Sequence, residues 1–169
     1  KIAKKIVKER HTTKISTTSQ LADLVRSVLP RNFKTDPATR TFQAIRVAVN
    51  DELNELSRGL TVSEKALKAD GILAVVTFHS IEDRLVKEFG KLKSGRISRG
   101  SRYGPYIEPG EPTLMPINNR VRKPTRGEIE ENTRARSGKL RIFRKIGVEP
   151  PIGFENLNYP KIELGLNYD

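Results

Sequence analysis

The apolar positions of the chain change period along its length, and each change marks an element. Over residues 1–10, Ile2, Ile6 and Val7 share one helical face, with Lys4, Lys5 and Lys8 beside or opposite it. Thr17 followed by Gln20 has the form of a capping box. Leu21, Leu24, Val25 and Val28 then repeat at helical spacing up to Pro30, so the two segments read as a helical hairpin. Asp36-Pro37 opens the next helix, with Asp36 as N-cap and Pro37 in the first turn. Phe42, Ile45, Val49, Leu53, Leu56 and Leu60 form one long apolar stripe. Thr61 with Glu64 reads as a second capping box, for a short helix that Gly71 closes. Residues 71–78 (GILAVVTF) are nearly all apolar and rich in β-branched side chains, the pattern of a strand buried on both faces in a parallel sheet. His79-Ser80 follows, and Ile81, Leu85, Val86 and Phe89 mark a helix after it. Residues 91–112 lack periodicity and read as a mobile basic loop, and 113–122 as a strand. Thr125 and Glu128 cap a short helical turn. Residues 138–146 alternate like an edge strand, and the Pro- and Asn-rich stretch from Gly147 reads as an extended tail.

Helices alternating with a buried strand make this an α/β protein. At 169 residues the chain has the length of about one domain, and a first residue of Lys1 fits a mature or truncated piece of a longer protein. No apolar run reaches the roughly 18–20 residues that span a bilayer, so no membrane partner is expected. The absence of cysteine excludes a disulfide scaffold, a thiol nucleophile and an iron–sulfur cluster. With only His11 and His79, no metal site is expected. The net charge of +12 is unevenly spread: residues 1–34 carry +7 and 84–145 carry +11, while 35–83 and 146–169 carry −3 each. Two basic blocks around an acidic middle point to a polyanion, above all RNA. Strand, polar turn and helix at 71–89 place a ligand site at His79-Ser80, because α/β folds bind ligands at the carboxyl ends of strands.

Three segments are specific enough to carry a family resemblance: DPATRTFQAIRVAVNDELNEL (36–56), GILAVVTFHSIEDRLVKEF (71–89) and ENTRARSGKLR (131–141). In that order they resemble the MraW-type methyltransferases, and the likeness spans about residues 1–146. The resemblance implies S-adenosylmethionine-dependent methylation of N4 of a cytidine in the decoding region of small-subunit ribosomal RNA. It also implies the C-terminal part of a Rossmann-like class I methyltransferase sheet. On that reading residues 1–34 belong to an inserted helical RNA-recognition subdomain, 35–146 to the methyltransferase domain and 147–169 to a tail. Ala69-Asp70-Gly71 stands where the family usually has Pro-Gly-Gly, Ile81 where Leu is usual, and Asp36 where His is frequent. The family's Gly-rich cofactor turn and its Asp-x-Gly-x-Ser-Ser run have no counterpart here. No cofactor-binding residue is therefore expected in this chain; the loop is expected upstream of Lys1, and the chain alone is expected to be inactive.

Position in the strand–turn–helix unit, helical spacing and loop composition suggest candidate roles. His79 and Ser80 would line the pocket or position the cytidine; alternatively Ser80 caps the following helix, with Glu82 and Asp83 in its first turn. Arg40, Arg46 and Asn50 face RNA or form a polar seam with Gln43. Arg84 binds phosphate or pairs with Glu88 one turn on. Arg134 and Arg136 would touch the RNA backbone, and Arg96, Arg99 and Arg102, with Tyr103 and Tyr106, would bind a single strand. The expected partner is small-subunit ribosomal RNA or the assembling subunit, in a bacterial cytoplasm or a mitochondrial matrix. A non-catalytic RNA-binding or ribosome-assembly factor derived from the enzyme is the alternative reading.

Overall fold

The computed structural model of the chain describes residues 1–29, 36–96, 111–118 and 120–147. Two compact units part between Glu52 and Leu53. None of the described helices is long and apolar enough to cross a membrane.

The first unit holds α1 (Ile2–Arg10), α2 (Thr18–Val28) and α3 (Ala38–Val49). The capping box forms as expected: Thr17 Oγ1 accepts from the Gln20 N–H at 3.2 Å, and Gln20 Oε1 accepts from the Thr17 N–H at 3.1 Å. Ala22, Val25 and Ala38 make the core, with Ile2, Leu21, Leu29 and Phe42 packed around it. Asp36 caps α3 by accepting from the Ala38 N–H at 2.9 Å, and its carboxylate also holds Arg26 of α2. One side chain thus sets both the start of α3 and its tie to α2.

The long apolar stripe is not one helix. It breaks after Val49, where Asp51 takes a left-handed φ of 51°, and α4 runs from Glu52 to Ala66. Asp tolerates that conformation better than the apolar residues around it, so the break falls there. No helix begins at Thr61 either. Thr61 lies inside α4 and its hydroxyl donates to the Ser57 carbonyl at 2.9 Å. Glu64 is buried, 3% exposed, and reaches Lys145 instead of a local backbone N–H.

The rest of the second unit is β1 (Ile72–Thr77), α5 (Ser80–Lys93), β2 (Leu114–Pro116), α6 (Arg126–Glu131), a 3-10 turn (Thr133–Ser137) and β3 (Lys139–Lys145). The sheet order is β1-β3-β2, and β3 runs antiparallel to both neighbours. Ile72 faces Arg144, Thr77 faces Lys139 and Leu114 faces Lys145 across the ladders. Two expectations change. The strand at 138–146 is central, because the short β2 returns to cover its second edge. β1 pairs antiparallel, and its apolar run is covered on one face only. Leu73 and Val75 pack on the core of Leu60, Val86, Leu114 and Phe143, whereas Val76 and Phe78 are each 57% exposed. An all-apolar run says that both faces suit burial, but not which face the rest of the chain reaches.

Helix α5 lies unusually close to the sheet. A Cβ on Gly90 would come within 2.3 Å of Phe143 Cε1, so only glycine permits this approach.

Candidate functional site

The site is built on the segment FHSIEDR, residues 78–84, where β1 turns into α5. His79 is the N-cap, in extended backbone. Its Nδ1 accepts from the Glu82 N–H at 3.2 Å, and Glu82 Oε2 accepts in return from the N–H groups of Phe78 and His79 at 3.1 and 3.2 Å. This is a capping box in which an imidazole replaces the usual hydroxyl. The cap is therefore His79, and Ser80, the first helical residue, stands exposed. A ring nitrogen that accepts must be unprotonated, so the neutral ring of His79 carries its proton on Nε2. Nε2 is buried, and although Glu82 Oε1 lies 3.0 Å away, the contact is too poorly aligned for a hydrogen bond.

Asp83, in the first turn of α5, accepts from Arg141 Nε at 2.8 Å and Lys139 Nζ at 3.2 Å, both on β3. Burial pushes its carboxyl up, but these two cations more than reverse that and hold it below the ordinary carboxylate value. Asp83 thereby fixes the turn against the sheet.

Beside the turn lies an open cleft of about 610 Å³, on the sheet face that α5 does not cover. Val76, Phe78 and Leu140 supply its apolar wall, and Arg122, Lys123, Arg134 and Lys139 supply positive charge, against one carboxylate among the described lining residues, Glu128. The segment ENTRARSGKLR contributes Asn132, Arg134, Ala135, Gly138, Lys139 and Leu140 to its lining. Asn132 Oδ1 accepts from the Arg134 N–H at 3.1 Å and starts the 3-10 turn, and the Gly138 N–H closes it on the Ala135 carbonyl at 2.7 Å. An exposed aromatic ring among cations in a cleft of this size suits an unstacked base with its phosphate.

The candidate residues distribute unevenly. Of them, Arg134 lines the cleft, together with Phe78, which precedes His79 in sequence. Arg136 is exposed on the same 3-10 turn. Arg84 is exposed on α5, and Glu88 pairs with Lys91 at 2.9 Å rather than with Arg84. Arg46 and Asn50 converge on Glu52, at 2.7 and 3.4 Å, and close the break between α3 and α4, while Arg40 is exposed. Arg96 lines a different cleft. Arg99, Arg102, Tyr103 and Tyr106 lie outside the described residues. Sequence reasoning missed Phe78, Arg122 and Lys123; the one available signal was an aromatic ending an apolar run just before the turn.

A ribosomal RNA small subunit methyltransferase H of Jannaschia sp. (strain CCS1) is 45% identical over 166 residues, 96% of this chain and 51% of that protein. The protein of the same name from Ruegeria sp. (strain TM1040) is 41% identical, covering 96% of the chain and 50% of its own length. That from Dinoroseobacter shibae is 50% identical over 147 residues, 86% and 44% respectively. The chain thus spans about half the length of the curated relatives it matches. The profile of the MraW methylase family matches residues 1–146, which takes in the capped turn, the Asp83 clamp and the Asn132 turn together, and the chain belongs to that family.

Proposed function

We propose that the protein carrying this chain methylates N4 of a cytidine in the decoding region of small-subunit ribosomal RNA, in the bacterial cytoplasm, with S-adenosylmethionine as donor. In this reading the chain supplies the side of the site that receives the nucleotide. The observation that carries it is the cleft beside the β1–α5 turn, with Phe78 and Arg134 both in its lining.

Cytosine N4 is a weak nucleophile because its lone pair is delocalised into the ring, so alignment is most of what a protein contributes. The target base leaves its stack and rests on Phe78. Arg134 and Lys123 take the flanking phosphates, and the His79 cap and Asp83 clamp hold the turn rigid behind the base.

At the β1–α5 turn the N–H groups of Phe78, His79 and Glu82 are spent within the capping box and are not available to a cofactor carboxylate. The donor is held by residues outside this chain, and the chain alone is inactive. β1 fits the same picture as an internal strand of a larger Rossmann-like sheet. Its outer edge has no partner among the described strands, and its uncovered face carries Ile72, Val76 and Phe78.

The test is nucleoside analysis of small-subunit RNA from cells lacking the activity, after incubation with the complete protein and S-adenosylmethionine. N4-methylcytidine is the expected product. Absence of methyl transfer, with RNA binding retained, would favour the assembly-factor reading instead.

A further inference from the structure

A second cleft, of about 400 Å³, is bordered by the C-terminal half of α5 and by Arg141–Phe143 of β3. It lies on the α5 side of the sheet, so it cannot serve the nucleotide seated against Phe78. Lys87, Lys91, Arg96 and Arg141 line it, and no described lining residue is acidic. The floor is apolar, from Pro116, Ile142 and the edge of Phe143. Two of the cations are anchored from behind: Lys91 by Glu88 at 2.9 Å, and Arg141 by Asp83 through Nε alone, which leaves the other guanidinium donors unspent on Asp83. Lys87 makes no ion pair with any described residue. Anchored cations with donors to spare, one cation without a carboxylate partner and no competing carboxylate in the lining form an anion site.

We propose that this cleft is a second RNA-backbone site, taking phosphodiesters of the strand that flanks the target nucleotide. The proposal rests on the ribosomal RNA reading above and adds to it a contact away from the methylated base. Its ligand is phosphate rather than base, because the one aromatic ring among the described lining residues, Phe143, is buried and offers no face for stacking. Such contacts position the nucleic acid without reading its sequence.

The experiment is fluorescence anisotropy of a labelled decoding-region RNA fragment with the complete protein, compared with its Lys87→Gln/Lys91→Gln variant. Affinity should fall about tenfold, the loss of one or two charge-assisted contacts. The dependence of log affinity on log salt should become shallower by about 1.4, for two phosphates no longer neutralised on a single strand. Lys65→Gln/Lys68→Gln removes the same charge from the end of α4 and should stay within about twofold of wild type. Equal losses in the two variants would overturn the site, since net charge alone would then explain binding. Unchanged affinity in the first variant would overturn it while leaving the methylation reading intact, because that reading is judged by nucleoside analysis. Displacement of the RNA by polyglutamate at equal charge concentration would assign the cleft to an acidic protein and overturn the RNA proposal.

Discussion

Replacing Glu64 tests the packing of the second unit where the structure makes its largest electrostatic commitment. Glu64 is 3% exposed and Lys145 8%. Glu64 Oε1 accepts from Lys145 Nζ at 2.8 Å, and Oε2 lies 3.0 Å from Lys93 Nζ. At an effective dielectric of about 20, each contact is worth roughly 6 kcal/mol before desolvation, and burial of the charges offsets most of that. Glu64→Leu removes the compensation and leaves Lys145 charged in the core; a loss of about 3–5 kcal/mol follows. Lys93 contributes little to it, because its side chain is partly exposed and its ammonium can turn to water. Adding Lys145→Met removes the stranded charge and should restore most of the stability. The chain has no tryptophan, so hydrogen exchange is the better readout. In Glu64→Leu the amides of β3 and α4 should exchange faster by roughly two to nearly four orders of magnitude, with α2 amides unchanged. If the single variant does not fold, the double variant carries the test. A single-variant loss below about 1 kcal/mol, or a double variant no better than the single, would refute the reasoning.

Other consequences are more local. Gly90→Ala forces a methyl into the Phe143 ring and should lower stability by about 1–3 kcal/mol in urea melts, with no effect on the first unit. Thr17→Ala removes a capping box and should weaken the first unit by about 1 kcal/mol, read as faster exchange in α2. His79→Ala should cost about 0.5–2 kcal/mol, and His79→Asn, which can still cap, should recover it; if turnover stays lost in His79→Asn, the imidazole acts on the substrate as well. Glu64 and Asp83 are both held below the ordinary carboxylate value, Glu64 because its lysine partners outweigh burial. A depressed folded value gives stability that is present above about pH 4 and lost as pH falls through the folded values. Urea midpoints should therefore drop below about pH 4, and less steeply in the Glu64→Leu/Lys145→Met variant.

Elements defined by neighbours in sequence were legible before any coordinates. The Thr17–Gln20 box, the Asp36 cap and the Thr125 cap all join atoms within three residues of each other. Glu64 was misread for the opposite reason. Its spacing from Thr61 matches a capping box, but its partner Lys145 lies 81 positions away, and only the folded sheet brings the two together. The split at Asp51 was hidden because the apolar stripe continues through it, while one polar residue takes a left-handed φ. At the site, strand–turn–helix geometry pointed to the right place. The identity of the cap did not emerge, since a histidine rarely takes that role and Ser80 looked the better candidate. The cleft itself was invisible: its walls come from residues 76–78, 122–124 and 132–140, which sequence order keeps apart.

The central claim is that the target nucleotide enters the cleft beside Phe78. Photocrosslinking tests it directly, with 5-iodocytidine at the methylated position of a decoding-region RNA bound to the complete protein. Adducts should map to the peptide holding Phe78 or to the stretch 132–140, and should be lost in Phe78→Ala. Adducts confined to α1 and α2, or found on the Lys87–Lys91 face of α5, would contradict it.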